Sequence, residues 1–252
     1  MAGTLVVTGG SRGIGAAVAR LAAARGYAVC VNYRSDAAAA EAVVAQIAAA
    51  GGRALALQAD VAREEEVERL FAAVDAAEGS GLPPLTALVN NAGLAGRVNR
   101  LEDAPAETIR QVMDLNVLGT IWCCRAAIRR MAKRHGGRGG AIVNLSSGAA
   151  TIGSPGEYVW YAASKGAVDS LTLGLAKENA GEGIRVNAVA PGFVNTEIHA
   201  ASGMPERLEK VAPTMPIGRA AEPEEIAEAV LWLLSDAASY TTGTVLRVAG
   251  GR

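Results

Sequence analysis

Four short apolar runs rich in Val and Leu, at 5–8, 28–32, 54–58 and 85–90, alternate with Ala-rich segments of helical length. A strand covered on both faces reads as a continuous apolar run, and joining two parallel strands requires a long return, usually a helix. The alternation therefore predicts an α/β chain built on a parallel sheet with helices on both faces. Further runs at 141–145, 185–190 and 244–248, with helical stretches at about 105–134 and 158–180, bring the sheet to about seven strands. Pro105 behind Glu102-Asp103, and Pro223 ahead of Glu224-Glu225, mark helix starts. With no repeat, heptad run or linker, residues 1–252 read as a single domain.

Charge balance narrows the partners. Lys and Arg number 24 against 25 Asp and Glu, so no net field favours a polyanion and nucleic acid is not expected. The three cysteines, Cys30, Cys123 and Cys124, suit buried thiols in a reducing compartment, which points to the cytoplasm. No apolar run reaches the roughly 18 residues of a membrane span, and the first residues lack the order of a signal peptide. His135 and His199 share no metal-ligand spacing, so no metal is expected. Arg129, Arg130, Lys133 and Arg134 read as cations complementing a helix end, ahead of a docking patch, and Trp122 and Trp232 read as packing residues.

The first strand runs into Thr8-Gly9-Gly10-Ser11-Arg12-Gly13-Ile14-Gly15 and then an Ala-rich helix. A dinucleotide pyrophosphate binds at such a turn, on backbone N–H groups and the positive end of the helix dipole. At the end of the second strand stand Asn32, Tyr33 and Arg34, with no carboxylate where a free ribose 2′-hydroxyl would find one. Arg34 and Arg12 suit a 2′-phosphate instead, favouring NADP(H) with NAD(H) as the alternative. Asp36 argues the other way, since it could pair with Arg34.

Tyr161 and Lys165 stand four apart in a helical pattern, so both project from one face. A phenol exchanges protons near neutral pH when a nearby ammonium lowers its pKa from about 10. The pair does not stand alone. The glycine turn, Asn90-Asn91-Ala92-Gly93 after strand four, Asn116 in the middle helix, Ser146-Ser147 after strand five and Pro191-Gly192 after strand six occur in order along the chain. This series resembles the classical short-chain dehydrogenase/reductase family, whose fold is a Rossmann-type doubly wound sheet.

The resemblance implies that Tyr161 is the general acid in reduction and the base in oxidation. Lys165 would lower its pKa and hold the nicotinamide ribose, Ser147 would bind the substrate oxygen, and Asn116 would hold a water of a proton relay. Asp60 and Val61 would contact adenine, Asn91, Ala92 and Gly93 would line the adenosine side, and Pro191, Gly192, Val194 and Thr196 would form the nicotinamide site. The family commonly places the serine thirteen residues before the tyrosine. Here Ser147 stands fourteen before and Gly148 holds the usual position, so one extra residue is expected in 153–160, with Ser146 and then Ser154 as competitors.

The implied substrate is a small-molecule carbonyl or secondary alcohol, bound under a lid at about 194–218. Ile198, Met204, Met215, Tyr158 and Trp160 suggest a mostly apolar pocket. Reduction of a 3-oxoacyl group on the acyl carrier protein is the enzymatic alternative, which Glu182 opposes by its charge. A non-catalytic NADP-binding redox sensor is the alternative from another class. A small-residue stripe, Gly166, Ser170 and Gly174, together with the two long helices that commonly pair in this family, implies a homotetramer.

Overall fold

The computed structural model describes residues 3–252. Seven strands form one sheet in the order β3-β2-β1-β4-β5-β6-β7, and every neighbouring pair is parallel. They are β1 (Thr4–Val7), β2 (Ala28–Tyr33), β3 (Arg53–Gln58), β4 (Leu85–Asn90), β5 (Gly140–Leu145), β6 (Ile184–Pro191) and β7 (Val245–Val248). The order reverses direction between β1 and β4. In open α/β sheets a ligand binds at such a switch point, outside the carboxyl ends of the strands.

Alternating strand residues feed two apolar layers. Leu5, Val7, Val29, Val31, Val89 and Val143 pack beneath α1 (Gly13–Ala24), α2 (Ala37–Ala49) and α10 (Pro223–Leu234). Val6, Cys30, Leu88 and Ile142 pack on the other side, against α3 (Glu64–Gly79), α5 (Gly119–Met131) and the buried Ala176 of α7 (Val159–Asn179). All three thiols are free and buried, and burial pushes those of Cys30 and Cys124 up to about 12. They are apolar filler here. Helix α10 starts where Pro223 indicated, with Glu222 and Glu225 forming a capping box.

The single helix expected over 105–134 is interrupted. Helix α4 (Ala106–Met113) leads into a π turn at Asp114–Leu118, and α5 ends at Met131. The Asn116 side chain explains the wider turn. Its Nδ2 donates to the Leu94 carbonyl at 2.9 Å, and its Oδ1 accepts from the Leu94 N–H at 2.9 Å. Such an anchor holds one extra residue in the turn, which hydrophobic spacing does not report. The basic run lies at the end of α5, with Arg129 and Arg130 in its last turn, and its cations also carry ion pairs. Arg130 forms a two-point ion pair with Asp75 of α3, Arg129 meets Glu68, and Arg134 meets Glu182. Trp232 is 42% exposed and is not a core packing residue.

Candidate active site

The turn after β1 is shaped for close approach. Gly9 and Gly13 adopt φ of +59° and +52°, a region that side chains disfavour. A Cβ on Gly15 would lie 2.4 Å from the Gly9 carbonyl oxygen, so this glycine packs the helix onto the turn and does not line the cavity. Arg12 precedes α1 without a side-chain cap, which leaves the first-turn N–H groups for an anion. Asn91 fastens the turn to β4, its Nδ2 donating to the carbonyls of Thr8 at 3.0 Å and Gly9 at 2.9 Å.

At the end of β2, Asn32 is buried and holds backbone. Its Nδ2 donates to the carbonyls of Leu57 and Ala59, and its Oδ1 accepts from the Gly9 N–H at 3.3 Å. Asp36 caps α2 by accepting the Ala39 N–H at 3.0 Å. Among the described residues it forms no ion pair with Arg34. Arg12 and Arg34 both line the cavity, as do Tyr33, Asp60 and Val61. The donor set thus offers two guanidinium groups beside a glycine cradle, which fits a phosphorylated dinucleotide.

That cavity, of about 690 Å³, runs from the glycine turn to the ends of β5 and β6, where Ser147, Tyr161 and Lys165 line it. The Ser147 hydroxyl acts to lower the pKa of the Tyr161 phenol, and its oxygen accepts the Ala149 N–H at 3.1 Å. Ser146 turns away, toward the Lys165 carbonyl and the Asp169 carboxylate on α7. Ser154 also lines the cavity, at φ +46° between the left-handed Gly153 and Gly156. The connector expected to hold one extra residue is the place of this backbone strain.

Burial raises the Tyr161 phenol above 10.0, opposed by the Ser147 hydroxyl. This is the reverse of the lowering expected from Lys165. The ammonium of Lys165 lies 5.8 Å from the tyrosine ring centroid and donates to the Leu145 carbonyl at 2.6 Å. Lys165 itself is 6% exposed, and burial brings it down from 10.5 to about 8. Asp169, one turn further along α7, supports its charge. Burial raises the Asp169 carboxyl, against the Ser146 hydroxyl and the charges of Lys165 and Arg247. The sequence reading missed Asp169, although its spacing of four from Lys165 was visible.

Asn116 is buried behind the wall and does not line the cavity. Besides Leu94 it meets Ser164, to whose Oγ its Nδ2 donates at 3.0 Å. Gly9, Ser11, Gly13, Ile14, Ala92, Gly93, Pro191, Gly192, Val194 and Thr196 do reach the cavity.

The substrate end is lined by only part of the expected apolar set. Of the five apolar residues named for it, Tyr158 and Ile198 reach the cavity, whereas Trp160, Met204 and Met215 do not. Trp160 is buried and donates from Nε1 to the Ala95 carbonyl at 3.0 Å. Over the cavity lie two short helices, α8 (Ile198–Ala201) and α9 (Arg207–Val211), within the segment expected as a lid. His199 stacks on Phe193 and reaches the Val194 carbonyl at 3.1 Å. Burial lowers its pKa.

Comparison with known proteins finds relatives along almost the whole chain. The pattern of the family described as "Enoyl-(Acyl carrier protein) reductase" matches residues 9–252. The oxidoreductase YgfF of Escherichia coli (strain K12) is 52% identical over 247 residues, covering 98% of either chain. The 3beta-hydroxysteroid dehydrogenase 1 of Eggerthella lenta is 44% identical over 250 residues, covering 98% of this chain and 92% of its own. Among solved structures, a short chain dehydrogenase from Burkholderia cenocepacia J2315 in complex with NADP superposes with a TM-score of 0.89 at 35% identity. The match covers 99% of this chain and 97% of that one.

Proposed function

The chain belongs to the short-chain dehydrogenase/reductase family, and from that premise we propose that it is an NADP(H)-preferring oxidoreductase acting on a small-molecule carbonyl or secondary alcohol. The observation that carries this reading is the convergence of Ser147, Tyr161 and Lys165 on one wall of the cavity that begins at the glycine turn. The turn at Gly9–Gly13 would hold the pyrophosphate, Arg12 and Arg34 the 2′-phosphate, and Asp60 and Val61 the adenine. Pro191, Gly192, Val194 and Thr196 would hold the nicotinamide end, and Lys165 its ribose. The cofactor supplies or accepts the hydride.

The protein's own groups handle the proton. In reduction the Tyr161 hydroxyl donates to the substrate oxygen, and its raised pKa keeps it protonated at neutral pH. Ser147 orients that oxygen, its own hydroxyl steadied by the Ala149 N–H. In oxidation Tyr161 must accept a proton, so alkaline conditions favour that direction. Asn116 takes a positioning role in addition to the water site implied by the family, since its side chain fixes the Leu94 backbone.

Two alternatives lose ground on particular residues. An acyl-carrier partner docking on the basic run would need cations free of internal partners, and Arg129, Arg130 and Arg134 are paired with Glu68, Asp75 and Glu182. A redox sensor has no use for the hydroxyl pair Ser147–Tyr161. Assembly as a homotetramer is part of the proposal, supported by Gly166 and Gly174, beside which no group lies within 4 Å of a built Cβ. A cytoplasmic setting is included on the strength of the buried free thiols. The deciding experiment is NADPH consumption with a panel of ketones and a 3-oxoacyl thioester. Sustained turnover of ketones is expected, and turnover of none of these substrates overturns the reading.

A further inference from the structure

Four arginines, Arg97, Arg207, Arg247 and Arg252, line the substrate end of the cavity. The acids in the cavity wall lie elsewhere. Asp36 and Asp60 follow β2 and β3, and the Glu197 carboxylate faces the glycine turn, 3.9 Å from a Cβ built on Gly13. His199 adds little charge, because burial and the Arg207 guanidinium both lower its pKa. The reacting end of the cavity is therefore cationic before any substrate enters.

Arg207 differs from the other three in burial. Its side chain is 9% exposed, and its guanidinium lies 5.3 Å from the Tyr158 ring centroid and 5.2 Å from that of Phe193. Arg207 Nη2 donates to Glu157 at 2.5 Å and Nη1 meets the Met204 sulfur at 3.4 Å, a weak acceptor. Buried Nε has no partner among the described residues. A guanidinium offers five N–H donors in a rigid fork, and most of this fork is unused. The second N–H of each of Nη1 and Nη2 has no acceptor among the described residues, and a planar anion in the cavity would accept from them.

Arg207 is also close to the chemistry. The Tyr158 ring meets the Tyr161 ring edge-on at 5.4 Å, so a single aromatic ring separates the proton donor from the guanidinium. A molecule reaching from one to the other needs a carbonyl at one end and a short chain to an anion.

We propose that the substrate is an oxo acid, a carbonyl compound carrying a carboxylate a few carbons away, and that Arg207 is the specificity residue that receives the carboxylate. The proposal rests on the reductase reading above and names its substrate class. Glu157 tempers the guanidinium charge and holds Arg207 in place when the site holds no acid. The exposed arginines raise the local concentration of anions without fixing their position.

The test compares 5-oxohexanoate with its methyl ester, which keeps the carbonyl and removes the charge. In the wild type, kcat/KM for the acid is expected to exceed that for the ester about ten- to one-hundred-fold, the range of one charge-assisted contact. Arg207→Gln should remove this preference, lowering kcat/KM for the acid about ten- to one-hundred-fold more than for the ester. Calorimetric titration of 5-oxohexanoate into the NADP-loaded protein gives a readout free of turnover, and Arg207→Gln should weaken binding by the same factor. Glu157→Gln should strengthen it. Equal kcat/KM for acid and ester in the wild type, or equal losses for both in Arg207→Gln, would overturn the proposal in favour of a purely structural latch. Arg207-dependent binding without turnover of any carbonyl would sustain the anion site and refute the reductase reading. Turnover of neutral ketones with no effect of Arg207 on the acid would do the reverse.

Discussion

Replacing Lys165 with methionine should make the cofactor-free protein more stable at neutral pH while abolishing its activity. Lys165 is 6% exposed, and burial lowers its pKa from 10.5 to about 8. At about 1.36 kcal/mol per pK unit, the fold destabilises the ammonium by about 3 kcal/mol relative to the unfolded chain. The sign follows from proton binding. Below pH 8 both states carry the charge and the folded state bears the full penalty. Between pH 8 and about 10.5 the folded state is neutral while the unfolded chain still holds its proton, so the penalty disappears. Methionine removes it but leaves the Leu145 carbonyl without its 2.6 Å donor, a loss of about 1 kcal/mol. The net gain at pH 7 is about 2 kcal/mol, or a rise in Tm of about 4–8 °C for a chain of this size. Differential scanning calorimetry of wild type and Lys165→Met at pH 7 and pH 10 measures it. A variant no more stable at pH 7, or a gain that persists undiminished at pH 10, would refute the reasoning.

Tyr161→Phe should cut carbonyl reduction at least about 100-fold and leave NADPH affinity within a few-fold, because the hydroxyl serves proton transfer and not binding; steady-state rates and fluorescence titration check both halves. Arg34→Ala should weaken NADPH about ten- to one-hundred-fold and NADH far less, as measured by their dissociation constants. Sedimentation equilibrium should return about four times the 25.6 kDa of one chain; an active monomer at all concentrations would remove the assembly proposal and leave the catalytic one intact.

The parts of this fold that could be read from residues alone are those set by local pattern. Val29 and Val31 face one helical layer and Cys30 the other, so the whole run had to be apolar. The edge strands β3 and β7 follow the same alternation with half-exposed residues, because each has a neighbour on one side only. The π turn at Asp114–Leu118 was not legible. It depends on a hydrogen-bonded pairing between Asn116 and Leu94, 22 residues apart, and spacing along one helix carries no trace of a partner on another element. Asp169 was legible, since helical spacing alone puts it beside Lys165. Arg207 was not, because its aromatic neighbours Tyr158 and Phe193 come from separate loops that meet only in the folded lid.

The same distinction explains why α7 has such a polar face toward the sheet. Ser164, Lys165, Val168, Thr172 and Ala176 are all buried, and three of these five are polar. In a helix chosen for packing alone, that stripe would be aliphatic. Each polar member has a partner on an adjoining element: Ser164 meets Asn116, Lys165 meets the Leu145 carbonyl, and Thr172 accepts from Asn144 at 2.9 Å. Asn144 in turn accepts from Asn90 at 2.9 Å, so the chain of contacts crosses from the helix through β5 to β4. Hydrogen bonds are directional where aliphatic contacts are not, and a helix held by several of them resists rotation about its axis. Tyr161 and Lys165 need that resistance, because turning α7 would carry the phenol away from Ser147. The polar face thus trades some hydrophobic stabilisation for a fixed angle, and the destabilised ammonium of Lys165 belongs to the same arrangement.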